Sequence, residues 1–195
     1  AALDLLVVEL SRFQQLVEDL LEISRFDAGA ARLDLDEVRI AELVMQAVGA
    51  STDRAVPVEL DADLAGVVVD ADKRRLVRVI ANLLDNAAKY GGGATGVEVH
   101  LGRSDSDERD VVQIVVEDNG DGVPVEERER IFERFARGTV AAGSRGSGEG
   151  SGLGLALVKE HVALHGGRVW VTDRLDGEPG ARFVVELPAL AGVEE

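Results

Sequence analysis

The sequence predicts an α+β protein: one long helix, then an α/β sandwich whose single mixed sheet carries helices on one face. Three observations predict it. Leu3, Leu6, Leu10, Phe13, Val17 and Leu20 follow one another in steps of three and four, the seam of a helix packed in a bundle or coiled coil. From Leu33 onward, period-2 segments alternate with helical ones, as in layered folds. The strongest strand candidates come in neighbouring pairs, 97–101 with 111–118 and 168–174 with 181–188, so antiparallel hairpins are expected.

Each element has its own signal. The first helix covers residues 1–27 and stops at Gly29, a residue suited to a helix C-terminus. "RLDLDEV" (32–38) alternates like a strand and "AELVMQAV" (41–48) reads as a helix. "VPVELDAD" (56–63) and "GVVVDAD" (66–72) read as short strands with Gly66 in the turn between them. Asp70 or Asp72 is placed to cap a helix from Lys73 to Tyr90. "GGGATG" is a loop, "VEVHL" and "VVQIVVED" are strands, and "RSDSDERD" is the polar tip between them. "NGDGVP" turns into a predicted helix, "VEERERIFERF" (125–135). Residues 136–152 are rich in Gly, Ser and Ala and read as a loop. "LGLALVKEHVALHGG" (153–167) is a helix with a glycine stop, and "RVWVTDR" and "ARFVVELP" close a hairpin.

Composition narrows the functions. The 195 residues include 37 acidic and 21 basic ones, a formal charge of −16. Such a surface repels phosphate backbones and anionic lipid, so neither general nucleic-acid binding nor direct membrane contact is expected. A small anion can still be held locally by backbone N–H groups and a metal ion. No cysteine is present, which excludes disulfides, thiolate metal sites and a cysteine nucleophile. No run approaches the roughly 18–20 apolar residues of a membrane span. The chain opens inside a helical pattern, and a piece of a longer protein is expected.

Three stretches carry polar residues that packing does not require. In "NLLDNAAKY" (82–90), Asn82, Asn86, Lys89 and Tyr90 share one helix face. Helix propensity is a poor reason for two asparagines there. A carboxamide oxygen suits Mg²⁺ and a lysine suits phosphate, although a solvated stripe would look the same. In "VVEDNGDGVP" (115–124) a strand ends in Asp118, and Gly120 and Gly122 follow. Asp118 can accept from an exocyclic amine, and a plain Asn-Gly or Asp-Gly turn is the alternative. In "GSGEGSGLGLALV" (146–158), Gly148, Gly150, Gly152 and Gly154 alternate before a helix start. That arrangement lets backbone N–H groups approach an anion. Neither the dinucleotide fingerprint nor the P-loop pattern is met.

In this order the three stretches resemble the N, G1 and G2 boxes of the Bergerat-fold ATPases and kinases, the GHKL superfamily. "IFERFARG" (131–138) resembles its F box. "LVEDLLEISRFDAG" (16–29) resembles the end of the dimerization helix that precedes the catalytic domain of bacterial sensor histidine kinases. The resemblance covers nearly the whole chain and implies a Bergerat-type fold. It divides the chain into residues 1–28 from a dimerization domain, a linker at 29–36 and an ATP-binding domain at 37–192.

The resemblance also implies roles. Asn86 would hold Mg²⁺, Lys89 a phosphate, and Tyr90 the nucleotide. Asp118 would receive the adenine amine, with Gly120 and Gly122 shaping the base pocket. Gly150, Gly152, Leu153, Gly154 and Leu155 would wrap the triphosphate. Phe132 and Phe135 would anchor the base of a lid, and Arg134 or Arg137 would reach the γ-phosphate. Asn82 stands where hydrolytic relatives carry a glutamate. An amide takes no proton at neutral pH, so the site suits phosphoryl donation rather than hydrolysis. The expected cofactors are ATP and Mg²⁺. The expected partners are a histidine-bearing dimerization domain in a full-length homodimer and a response regulator. The fragment is expected to be cytoplasmic, with the full-length protein anchored in the cell membrane. His100, His161 and His165 all lack the acceptor context, so this chain is expected to bind Mg·ATP without phosphorylating itself. An anti-sigma-factor serine kinase and a pseudokinase module are the alternatives.

Overall fold

The computed structural model describes residues 2–50, 56–92, 94–104, 109–136 and 151–190. They fall into two compact units, Ala1–Arg32 and Leu33–Glu195. The first is α1 (Ala2–Asp27). It ends where Gly29 takes φ +61° and the N–H groups of Gly29 and Ala30 return to the carbonyls of Phe26 and Arg25 at 2.9 Å. Leu6, Leu10 and Phe13 of the apolar seam are all exposed.

The second unit holds β1 (Asp36–Arg39), α2 (Ile40–Ala50), β2 (Val58–Leu60), β3 (Val68–Ala71) and α3 (Lys73–Tyr90). After these come β4 (Ala94–Arg103), β5 (Asp110–Asp118), α4 (Gly154–Leu164), β6 (Arg168–Thr172) and β7 (Arg182–Pro188). Five strands form a mixed sheet in the order β2-β4-β5-β7-β6, parallel only between β2 and β4.

Two expectations about elements differ from the structure. β3 does not join the main sheet beside β2. It pairs antiparallel with β1 in a two-stranded ribbon, because a short 3-10 turn at Ala62–Gly66 separates β2 from β3. Residues 125–135 do not form an α-helix. They make two 3-10 turns, Val125–Glu127 and Arg130–Phe132. The side chain of Arg128 folds back to the Val123 carbonyl, and Phe135 turns left-handed at φ +61°.

The core lies between the sheet and the helices. Val97, Val99, Val112, Ile114, Val116, Phe183, Val185 and Leu187 face Leu76, Val79, Ile80, Leu83, Leu84 and Ala87 of α3 and Val158 and Val162 of α4. Alternation along each strand puts charge on the other face. There Arg182 pairs with Glu98 at 3.0 Å and Glu117 at 2.7 Å, and Arg168 pairs with the buried Glu186 at 2.7 Å. The α3 helix starts where expected because Asp72 caps it, its side chain accepting from Arg75 N–H at 3.3 Å. The apolar stripe of α3 leaves Asn82, Asn86, Lys89 and Tyr90 off the core. Among the described residues no helix is long and apolar enough to cross a membrane.

Candidate functional site

Helix α3 is the floor of the site, and a glycine contact sits at each end of its polar face. Asn82 Nδ2 donates to the Gly154 carbonyl at the start of α4, 3.4 Å away. Nine residues on, about 14 Å along the axis, Gly91 caps the helix and meets the end of β5. A Cβ on Gly91 would lie 2.3 Å from the Asp118 Cβ and Cγ, so only glycine fits there. Asn119 N–H bonds the Gly91 carbonyl at 3.1 Å, which stitches the loop after β5 to the helix end. Between these contacts, Asn86 is half-buried and Lys89 and Tyr90 are exposed. No side-chain hydrogen bond or ion pair among the described residues engages any of the three.

Asp118 is buried, 4% exposed. Both of its side-chain hydrogen bonds fall on Oδ1, which accepts from Gly120 N–H at 2.9 Å and Ala181 N–H at 3.1 Å. Oδ2 accepts none among the described residues. One oxygen is anchored and the other keeps its acceptor capacity. Burial raises the carboxyl's pKa above the ordinary aspartate range, while the two N–H donors and nearby Arg174 oppose the rise. A buried acceptor with an open lone pair suits an amine donor, because leaving it unmatched costs desolvation energy.

The wall behind Asp118 is the β6–β7 turn. Gly180 takes φ +148°, and a Cβ there would overlap the Asp118 carbonyl oxygen at 2.0 Å. Gly122, at φ +78°, packs on the Gly180 carbonyl, and Gly120 packs on Gly91 and the Tyr90 carbonyl.

At the opposite end, Gly152 lies against Phe135, whose N–H bonds the Gly152 carbonyl at 2.9 Å. The first bond of α4 runs from Leu157 N–H to the Leu153 carbonyl at 2.9 Å. The amides of Gly154, Leu155 and Ala156 therefore have no acceptor within the helix. No acidic residue sits in this first turn, so the positive dipole end is not neutralised locally. Leu153 is fully buried and Leu155 packs partly on the core. What these two offer a ligand is backbone.

Of the sequence-predicted residues, Asn82 therefore meets Gly154, Gly120 packs on Gly91 and the Tyr90 carbonyl at the far end of the same helix, and Asp118 lies against Gly91. Gly150, Gly148 and Arg137 lie outside the described residues. Arg134 is paired with Glu160 of α4 at 3.7 Å. Phe132 is buried, edge-on to Phe183 with ring centroids 6.4 Å apart, whereas Phe135 is 64% exposed. Gly91, Asn119, Arg174, Gly180 and Ala181 were not singled out from sequence. Gly91 carried a signal in the "GGG" run after a helix; the other four had none that spacing reveals.

Residues 71–191 match the family of histidine kinase-, DNA gyrase B- and HSP90-like ATPases. The chain belongs to that family. This ATPase-family chain is 40% identical over 187 residues to the signal transduction histidine-protein kinase AfsQ2 of Streptomyces coelicolor, covering 96% of the chain and 32% of that protein. It is 36% identical over 186 residues to the histidine-protein kinase/phosphatase MprB of Mycolicibacterium smegmatis, covering 93% of the chain and 36% of MprB. It therefore spans about a third of the length of these curated relatives. Its fold matches full-length ShkA in complex with AMPPNP at a TM-score of 0.69 and 30% identity, over 92% of this chain and 36% of ShkA. It also matches the ATP-binding domain of PrrB from Mycobacterium tuberculosis at 0.55 and 30%, over 81% of this chain and 99% of that domain.

Proposed function

We propose that this chain is the ATP-binding catalytic part of a sensor histidine kinase, which presents the γ-phosphoryl group of Mg·ATP to a histidine on a dimerization helix. The observation that carries the reading is the split carboxylate of Asp118, one oxygen tied to backbone and one open, at the end of a helix face on which Asn86, Lys89 and Tyr90 are uncommitted. In this reading Oδ2 accepts from the adenine amine, and Gly91, Gly120 and Gly122 let the base lie against backbone. Tyr90 flanks the nucleotide. Lys89 meets phosphate oxygens, and the free amides of Gly154 and Leu155, with Gly150, Gly152 and Leu153, cradle the rest of the triphosphate.

Magnesium fits the donor set. No cluster of three or more His, Cys, Asp or Glu residues that could hold a metal exists among the described residues. Mg²⁺ commonly takes only one or two protein ligands and fills its shell with phosphate oxygens and water. The half-buried Asn86 carboxamide would supply the protein oxygen, and the ion would neutralise charge on the transferred group. Asn82 is oriented by the Gly154 carbonyl and takes no proton, so water is not activated from that position. The reaction is then in-line attack by an imidazole nitrogen on Pγ, breaking the bond to the β,γ-bridging oxygen and releasing ADP.

In the same reading, residues 1–28 end a dimerization helix whose exposed leucine seam pairs in a homodimer, 29–36 link it, and 37–192 hold the nucleotide. A response regulator takes the phosphoryl group, and the full-length protein is membrane-anchored with this part in the cytoplasm. None of the chain's own histidines suits the acceptor role. His161 and His165 are buried, and His100 sits on the sheet's outer face between Glu98 and Asp61.

The test is titration with ATP and GTP with and without Mg²⁺, followed by γ-labelled ATP. Mg-dependent, adenine-selective binding without label on this chain, and acid-labile label on an added helix pair carrying the histidine, are expected. Equal affinity for ATP and GTP, or stoichiometric self-labelling, overturns the reading.

A further inference from the structure

We propose that Arg174, in the β6–β7 turn, is a positioning residue for base recognition, holding the Asp118 carboxylate in the orientation that distinguishes an amino purine from an oxo purine. The inference rests on the reading of Asp118 given above and adds a residue that spacing along the sequence does not mark.

The turn grips the loop after β5 at both of its ends. At the near end, Arg174 Nη1 donates to the Asn119 side-chain oxygen at 2.5 Å and reaches the Asp118 carbonyl at 3.5 Å. At the far end, Arg128 donates from Nε to the Val123 carbonyl at 3.0 Å and from Nη2 to Asp173 at 2.6 Å. Between them, Gly122 lies on the Gly180 carbonyl. Asp118 is also tied to Ala181 by one backbone and one side-chain bond, its N–H donating to the Ala181 carbonyl at 3.0 Å while Ala181 N–H donates to Oδ1.

Arg174 is itself immobilised. Asp176 grips it through two contacts, Nε to Oδ1 at 3.1 Å and Nη2 to Oδ2, and its side chain is 12% exposed. A guanidinium forked between a carboxylate on one side and two oxygens of the recognition loop on the other is a rigid spacer, a geometry a lysine cannot reproduce. Its stem passes Gly180 so closely that a Cβ there would sit 2.5 Å from Arg174 Cδ. Turn, arginine and carboxylate therefore form one packed unit.

A carboxylate oxygen attracts the 6-amino group of adenine and repels the 6-oxo group of hypoxanthine. That discrimination depends on where Oδ2 points, whereas phosphate binding at α4 does not. Arg174 thus sets the ratio of affinities for ATP and inosine triphosphate more than nucleotide affinity as such.

The experiment measures Mg²⁺-dependent Kd values for ATP and inosine triphosphate on the whole chain, with circular dichroism to verify folding. Asp118→Asn should abolish the ATP preference; if it does not, the reading of Asp118 fails, whatever Arg174 does. If Asp118→Asn behaves as expected, Arg174→Ala should lower the ATP:ITP ratio about tenfold, Arg174→Lys should restore only part of it, and Asn119→Ala combined with Arg174→Ala should add little to Arg174→Ala alone. An unchanged ratio in a folded Arg174→Ala protein overturns the proposal. So does full restoration by lysine, or a loss shared equally by both nucleotides.

Discussion

Helices α3 and α4 run antiparallel, and the polar groups at the two ends of their contact are treated in opposite ways. Where α3 begins and α4 ends, most polar side-chain atoms are matched to one another. Asp72 accepts from Asp34 N–H, Arg75 N–H and Arg75 Nε. His165 accepts at Nε2 from Asp72 N–H at 3.0 Å and donates from Nδ1 to the His161 carbonyl at 2.7 Å, while Arg75 sits 3.2 Å from His161 Nδ1. Where α4 begins and α3 ends, Asn86, Lys89, Tyr90, Asp118 Oδ2 and the first amides of α4 are committed to nothing within the described residues. Composition does not separate the ends, since each has an aspartate, a basic residue and a neutral polar group. Satisfaction does. Closed networks rigidify a core, and open donors and acceptors are what a ligand completes.

The comparison breaks first at Asn86. Asn86→Ala removes an uncommitted group, so binding of Mg·ATP should fall at least 100-fold, about 2.7 kcal/mol, while the urea midpoint of the free protein stays put. Titration of both proteins with Mg·ATP, and urea melts without it, give the two numbers. A large loss of stability with little loss of affinity would show Asn86 to belong to a closed network after all.

Asp72→Ala is the converse. It removes the α3 cap and the acceptor shared by Arg75 and the chain at Asp34. A cost of about 2–3 kcal/mol in the urea-unfolding free energy is expected, with nucleotide affinity of the folded fraction unchanged. A 100-fold loss of affinity at full stability would put this end, too, inside the site.

These ends were not equally visible in the sequence. The open end could be read because its residues break local rules: asparagines off the core of a strong helix, an aspartate ending an apolar strand, glycines before a helix start. The closed end obeys those rules, so Asp72 was readable as a cap, but its junction with His165, 93 positions away, was not. The same reason hid Arg174 and Gly180, whose partners lie across the sheet and whose sequence surroundings are those of an ordinary turn. Element boundaries set by local signals, such as Lys73–Tyr90, were legible. Strand pairing was less so, because β3 carries the same alternation whether it pairs with β1 or β2. The helix expected at 125–135 failed because five consecutive charged residues, Glu126 to Arg130, leave no apolar stripe to bury, and tertiary contacts decide its path.

The smallest effect is a pH dependence of opposite sign in two histidines. Burial lowers the pKa of His165, so the folded chain keeps it neutral where the unfolded chain, titrating near pH ~6.5, takes up a proton. Its contribution is complete above that pH and is lost as pH falls below it. His100 behaves otherwise: burial opposes its protonation, but hydrogen bonds to Glu98 and Asp61 outweigh burial and raise its pKa. Its contribution is complete below pH ~6.5 and is lost as pH rises through the higher folded value. Urea midpoints between pH 5 and 8 should therefore fall less steeply toward acid in His165→Gln, and less steeply toward alkali in His100→Gln, than in the parent. His165 makes the sharper test, because His100 is half-exposed and its pairs are screened by solvent. An acid limb unchanged in His165→Gln would mean that the junction of Asp72 with α4 tolerates a charged imidazole. The matched end of the helix pair would then be less strictly closed than its hydrogen bonds indicate.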